Sequence, residues 1–162
     1  IGKPSCISLA QRFITLYIPT VCAINGHAFG AGFMFALTHD VRVMREDRGF
    51  LCANEMQLGL PIPRPELALF RHKIPANAFF ETVQLSKRWT GRDALHAGIV
   101  QELSSFDEMT AVVQRKAEEL APLANNRKNY GHQKEMLFGE RAAINQIDGP
   151  AHMLKHSEDF NA

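Results

Sequence analysis

Apolar and polar positions fall into short blocks along the first part of the chain, and the blocks change period as they go. From residue 5 to residue 17, Ile7, Leu9, Phe13, Ile14, Leu16 and Tyr17 recur at roughly helical spacing, and Pro19 ends the run. Thr20 to Ile24 is an apolar, partly β-branched run that stops at Asn25-Gly26, which predicts a buried strand entering a turn. Gly30-Ala31-Gly32 then precedes Phe33-Met34-Phe35-Ala36-Leu37. Small residues before large ones suit a helix that starts tight against a sheet. Val41-Arg42-Val43-Met44 alternates as a strand, Glu46 to Gly49 reads as a turn, and Phe50-Leu51-Cys52 is a third strand. Pro61, Pro63 and Pro65 make a rigid loop ahead of an apolar helix at about 66–72.

The later part reads as mostly helical. Helices are expected at Ala76–Leu85 and from Thr90-Gly91-Arg92-Asp93-Ala94 to Gly98, with Ile99-Val100 as a short edge strand. Glu108–Leu120 carries Met109, Val112, Val113, Ala117 and Leu120 on one face. Beyond it, Met136, Leu137, Phe138, Ile144, Ile147 and Leu154 are scattered among polar residues. That tail is too sparse for a domain of its own and should form helices that pack on something else. Strands alternating with helices, followed by helices only, is an α/β architecture with a helical C-terminal region.

Composition adds exclusions. With 162 residues, 46% hydrophobic and 22% charged, the chain has one domain's length and the balance of a folded globular protein. A formal net charge of +1 lacks the basic excess of a nucleic-acid binder. Cys6, Cys22 and Cys52 have neither zinc spacing nor the even count of a disulfide framework, so a reducing compartment is the default. Tyr17–Leu37 is mostly apolar and holds Gly26-x-x-x-Gly30. Pro19, Asn25, His27 and three glycines interrupt it, so no membrane span is expected. The first residues form no signal peptide, and the absence of Met there suggests that the gene's own start lies elsewhere. The final Asp159-Phe160-Asn161-Ala162 is not a Ser-Lys-Leu address.

Two places carry candidate chemistry. The first is Asn25-Gly26-His27-Ala28-Phe29-Gly30-Ala31-Gly32, between a predicted strand and a predicted helix. Small residues let a ligand approach the backbone there, and the first helical amides have no internal partner to donate to. The Gly-x-x-x-Gly-x-Gly spacing matches neither the dinucleotide fingerprint nor the Walker loop. An Asn-Gly turn with close helix–sheet packing is the alternative, and on spacing alone the favoured one. The second is Glu55, with Leu51, Met56, Leu58 and Leu60 nearby. A carboxylate among apolar neighbours suits acid–base duty, and a solvated glutamate at a helix start is the alternative. The seven histidines show no metal spacing, and no Gly-x-Ser-x-Gly elbow appears. His39-Asp40 reads as a capping pair, His27 as a packing residue, and all three cysteines as structural.

These residues resemble a known pattern. Pro19-Thr20-Val21-Cys22-Ala23-Ile24-Asn25-Gly26-His27-Ala28-Phe29-Gly30-Ala31-Gly32 resembles the signature of the crotonase (enoyl-CoA hydratase/isomerase) superfamily, and Asp40-Val41-Arg42-Val43-Met44 the strand after it. Asn54-Glu55-Met56-Gln57-Leu58-Gly59 is similar to the segment bearing the catalytic glutamate in enoyl-CoA isomerases, and Thr90 to Val100 to a later family element. The resemblance implies a spiral of ββα turns over residues 1–105 as a partial crotonase-like core. It also implies a helical region at 106–162 used for oligomer contacts, giving a homotrimer or a dimer of trimers.

Carried over residue by residue, it makes the N–H of Ala31 an oxyanion-hole donor to an acyl-CoA thioester and Glu55 the acid/base, a single shuttle that takes a C2 proton and returns it at C4. Gly26, Gly30, Met34 and Leu60 become substrate-binding positions. No metal and no cofactor are implied, since coenzyme A is part of the substrate. No membrane or nucleic-acid partner is implied either. Where hydratases place a second glutamate this chain has Met34, so the resemblance favours a Δ3-Δ2-enoyl-CoA isomerase of fatty-acid β-oxidation, peroxisomal or mitochondrial by family habit. The resemblance covers roughly the C-terminal three-fifths of the family pattern, leaving out the first oxyanion donor and much of the CoA surface. The chain is then expected to be a fragment or a shortened isoform. A catalytically inactive subunit acting in assembly or acyl-CoA binding, or another crotonase reaction on an acyl-CoA, are the alternatives.

Overall fold

The computed structural model describes residues 6–139 and 149–160; Ile144 and Ile147 of the expected helical tail lie outside them. Helix α1 (Cys6–Ile14) opens the described chain. Two ββα units follow. In the first, β1 (Val21–Ile24) and β2 (Ala28–Phe29) lead into α2 (Ala31–Leu37). In the second, β3 (Val41–Arg45) and β4 (Leu51–Cys52) lead through a 3₁₀ turn at Met56–Leu58 into α3 (Arg64–Lys73). The chain continues through α4 (Ala76–Val83), α5 (Gly91–His96), β5 (Glu102–Ser104), α6 (Met109–Leu120), α7 (Arg127–Phe138) and α8 (Pro150–Lys155).

Each strand pairs with its counterpart one unit later. β1, β3 and β5 form one parallel sheet in that order, in register from Val21↔Val41 to Ile24↔Met44 and from Val43↔Glu102 to Arg45↔Ser104. β2 and β4 form a second parallel pair, Ala28↔Leu51 and Phe29↔Cys52. Like strands stacked on like strands are the two turns of a ββα spiral. Gly49 lets the turns close up: at φ 105°, a Cβ there would sit 2.2 Å from the Gly26 carbonyl oxygen of the turn before.

The apolar faces meet between the sheets and the helices. Phe33, Met34 and Leu37 of α2, Leu69 and Phe70 of α3, and Met44, Leu51, Ile99 and Val100 are all buried. The Phe33 and Phe70 rings meet edge to face with centroids 5.4 Å apart, the preferred geometry of an aromatic pair. α8 packs against α1 and α3, and α6 lies along β1 and β3. Among the described residues no helix is long and apolar enough to cross a membrane.

The structure corrects one local expectation. Ile99-Val100 is not a strand. Both N–H groups donate back to the Ala94 carbonyl, at 2.8 and 3.2 Å, closing α5, and the strand begins at Glu102 after Gln101 donates to the Arg42 carbonyl at 3.0 Å. Their apolarity is that of core residues, 0% and 1% exposed. Arg42, within β3, is buried at 4% exposed. Its guanidinium staples the segments after α2 and α5 together, donating from Nε to the Ile99 carbonyl at 2.7 Å and from Nη1 to the His39 carbonyl at 2.9 Å.

His39 and Asp40, expected to cap together, divide the work. His39 Nδ1 lies 3.1 Å from the Phe35 carbonyl at the end of α2. Asp40 instead ties β1 and α7 to β3. Its carboxylate accepts from the Thr20 N–H at 2.9 Å and the Tyr130 hydroxyl at 3.1 Å, and pairs with the Lys134 ammonium at 2.8 Å. His27 packs as expected, with its ring 5.6 Å from those of Phe29 and Phe50.

Candidate active site

β2 and β4 are neighbours in a parallel pair, so the segments leaving their C-terminal ends emerge side by side. One segment is Gly30 and the start of α2; the other is Ala53-Asn54-Glu55. The Gly30 N–H donates to the Cys52 carbonyl at 3.0 Å, the last rung before the two segments part. Gly30 turns the chain into α2 at φ 48°, ψ −118°, a conformation that side-chain-bearing residues avoid. Above it lies the Glu55 carboxylate. A Cβ on Gly30 would sit 3.2 Å from Glu55 Oε1 and 3.7 Å from Asn54 Oδ1.

Glu55 is held by its own backbone. Its carbonyl accepts from the N–H groups of Leu58 and Leu60, at 3.0 and 2.9 Å, and Gly59 closes the turn in the left-handed region at φ 69°. Gln57 Nε2 donates to the Ser86 carbonyl at 3.2 Å, pinning the turn to the chain after α4. Glu55 Oε2 is buried and has no hydrogen-bond partner. A buried carboxylate oxygen without a partner costs stability, so the carboxylate is not there to hold the fold together. Beside it Met56, Leu58 and Leu60 are 46%, 62% and 54% exposed and form an apolar ledge.

Of the positions expected to act, Glu55 and Gly30 are in contact, and Ala31 is the exposed first residue of α2. Leu60 lies at the far end of the Glu55 turn. Gly26 has nothing within 4 Å of a would-be Cβ, and its carbonyl receives Gly49. Met34 is 1% exposed, one turn into α2, where its N–H donates to the Gly30 carbonyl at 3.0 Å. Cys22 and Cys52 are inert by environment: burial pushes the Cys22 thiol up to about 11 and raises that of Cys52. Among the described residues no cluster of His, Cys, Asp or Glu is placed to hold a metal ion.

One titratable residue near Glu55 is absent from the sequence reading. Glu66, in the first turn of α3, is half-buried, and its proton affinity is raised first by burial and then by the charge of Glu55. Following Arg64-Pro65, it looks like an ordinary helix-start acid. Its spacing to the buried Leu69 and Phe70 (i+3, i+4) is the signal that places it on the inward face. The opposite face of α3 borders a separate groove of about 430 Å³, lined by Arg64, Leu67, Arg71, His72, Phe79 and Met153 among others.

Comparison with known proteins gives consistent findings. The model of the family described as enoyl-CoA hydratase/isomerase matches residues 2–158. The chain is 37% identical over 139 residues to enoyl-CoA delta isomerase 2, peroxisomal, of Arabidopsis thaliana, covering 84% of this chain and 58% of that protein. It is 36% identical over 131 residues to enoyl-CoA delta isomerase 3 of the same plant, covering 78% and 55%. Its fold superposes with a TM-score of 0.79 on a probable enoyl-CoA hydratase from Mycobacterium tuberculosis, at 24% identity, covering 95% of this chain and 63% of that one. The chain thus spans little more than half the length of the curated relatives it matches.

Proposed function

The chain belongs to the enoyl-CoA hydratase/isomerase family, and on that premise we propose that it acts as an enoyl-CoA isomerase, moving the double bond of a 3-enoyl-CoA to the 2-trans position. The observation that carries this reading is the Glu55 carboxylate lying over Gly30, beside the first amide of α2. That amide, on Ala31, donates to the thioester oxygen. Glu55 removes a proton from C2, the electron pair delocalises onto that oxygen, and Glu55 returns the proton at C4 to leave the conjugated product. One oxyanion donor of this kind typically lowers a barrier by about 2.7–4 kcal/mol.

Two features favour isomerisation over hydration. The relatives at 37% and 36% identity carry the name enoyl-CoA delta isomerase. The position that resembles the hydratases' second glutamate is the buried Met34, which cannot activate water. The same reading places the chain's substrate among the acyl-CoAs of fatty-acid β-oxidation, in a peroxisome or mitochondrion. It assigns residues 106–162 to contacts between copies in a trimer or a dimer of trimers. Supporting that role, Leu123 and Met136 are exposed on this helical region, at 51% and 38%.

The partial span favours one second reading, an assembly or acyl-CoA-binding subunit without turnover. Absorbance of the conjugated enoyl thioester formed from 3-hexenoyl-CoA separates the two. The isomerase reading expects a rise with wild type that Glu55→Gln abolishes. A variant near wild-type turnover removes Glu55 from the mechanism, and a folded wild type that binds acyl-CoA without any rise is the non-catalytic subunit.

A further inference from the structure

The turn that carries Glu55 is held from outside as well as from within. β4 has β2 along one edge, and along the other runs the chain that leaves α4. There Leu51 and Trp89 exchange both main-chain hydrogen bonds, at 3.0 and 2.9 Å. Just before that pairing Ser86 bends the chain away from α4 at φ 48°, the one non-glycine residue with positive φ among the described residues. Glycine is the usual residue for this left-handed bend after a helix, because a Cβ is strained there. Serine adds a second cost: its side chain is buried, and Ser86 Oγ, like Glu55 Oε2, has no hydrogen-bond partner. A strained residue with an unpartnered hydroxyl does little for stability through its side chain, and backbone outliers of this kind gather at functional sites.

The bend acts through its main chain. The Ser86 carbonyl accepts from the Cys52 thiol at 3.3 Å and from Gln57 Nε2 at 3.2 Å. Cys52 lies three residues before Glu55 and Gln57 two after it, so one oxygen ties both flanks of the glutamate to one point. On the opposite edge the Cys52 carbonyl receives the Gly30 N–H, which fixes the other partner of the Gly30–Glu55 contact to the same residue. We infer that Ser86 and Gln57 form a latch that positions Glu55 over Gly30. The inference rests on the isomerase reading above. There a single carboxylate must reach two carbons of one bound substrate, C2 to take the proton and C4 to return it, and a small displacement of its turn spoils one approach or the other. Both latch residues act through Glu55, as positioning residues. Gln57 is the half that can be released without disturbing the core, since it is exposed on the ledge between Met56 and Leu58.

Steady-state turnover of 3-hexenoyl-CoA, read by absorbance of the conjugated product, tests the latch, with circular dichroism to establish folding. The proteins are wild type, Gln57→Met, Ser86→Val, Ser86→Gly and the Gln57→Met/Ser86→Val double variant. Methionine keeps the length of glutamine and loses the donor. Gln57→Met should therefore lose about tenfold in kcat with KM changed by no more than about twofold, a split that a surface residue supporting only the fold would not produce. Valine is strained at positive φ, so Ser86→Val should lose at least as much, and the double variant no more than Ser86→Val alone, because both open the same bond. Ser86→Gly takes the bend without strain and should recover most of the rate that Ser86→Val loses. The Gln57→Met result stands by itself where Ser86→Val fails to fold. A Gln57→Met enzyme within about twofold of wild type in kcat overturns the inference. So do losses that add in the double variant, or a Ser86→Gly no faster than a folded Ser86→Val. In each of these cases the isomerase reading stands. No conjugated product from folded wild type overturns both.

Discussion

Replacing Gly30 by alanine tests the geometry of the site without removing a functional group. Two separable costs follow from the structure. The backbone at φ 48°, ψ −118° lies where a Cβ is strained, a cost of about 1–3 kcal/mol. The new methyl also meets Glu55 Oε1 at 3.2 Å, so the carboxylate must yield by a few tenths of an ångström. For a chain of this size about 1 kcal/mol shifts Tm by roughly 2–4 °C, so thermal unfolding should fall by about 2–12 °C. Since an error of about 1 Å in a catalytic group can cost about 10²-fold, the smaller displacement should lower turnover of 3-hexenoyl-CoA by about tenfold. Gly98→Ala is the control, with φ 75° and the Pro75 ring carbon at 3.3 Å, and it should lose stability while keeping its rate. Shortening Glu55 to alanine in the Gly30→Ala background should recover the steric part of the stability loss, a coupling that a double-mutant cycle reads directly. A Gly30→Ala protein that melts with wild type, or a cycle with no coupling, would refute this account of how α2 and Glu55 meet.

Two further outcomes concern the charged groups behind the site. Burial, then Arg42 and Lys134, push the Lys73 ammonium down to about 8, against Asp40, which raises it. The unfolded chain therefore holds this proton more tightly than the folded one. The penalty is complete below pH 8 and disappears as pH rises towards the ordinary 10.5. Lys73→Met should accordingly raise stability at pH 7, by up to about 3 kcal/mol less the lost contact with the Phe138 ring, and its advantage should vanish near pH 10.5 in urea unfolding. An advantage independent of pH would mean that packing, not charge, sets the difference. Asp40→Asn leaves the Lys134 ammonium without its partner in a site where that side chain is 5% exposed, and should cost about 3–5 kcal/mol. A loss below about 1 kcal/mol would mean the pair is solvated in solution.

Much of the fold can be read from local pattern. The apolar run before Asn25-Gly26 is β1, the alternation from Val41 is β3, and small-then-large residues mark α2. The failures share a cause. β2 is two residues long and exists because β4 lies beside it, which no window of sequence contains. Ile99 and Val100 have strand composition but serve as core beneath the end of α5. The Arg42 side chain is held inward by the Ile99 carbonyl, remote in sequence, together with the nearby His39 carbonyl. The site divides in the same way. Glu55 and the glycine turn stand out locally, whereas their contact depends on the pairing of β2 with β4. Glu66 reads as an ordinary helix-start acid, and its half-burial appears only in the folded chain.

The nesting of Gly49 onto the Gly26 carbonyl has a consequence for how this sequence can diverge. The loop from Ile24 to Ala28 and the loop from Arg45 to Leu51 are in touch, with no room between them for a methyl group. A residue inserted in either loop, or a side chain gained at residue 49, would lift one stacked layer off the other. Because Glu55 rides on the upper layer and Gly30 on the lower, their separation would change as well. The two loops therefore cannot drift independently: a change in one is tolerated when the other changes to match, and correlated replacements across this pair of turns are the record that history should leave in related sequences.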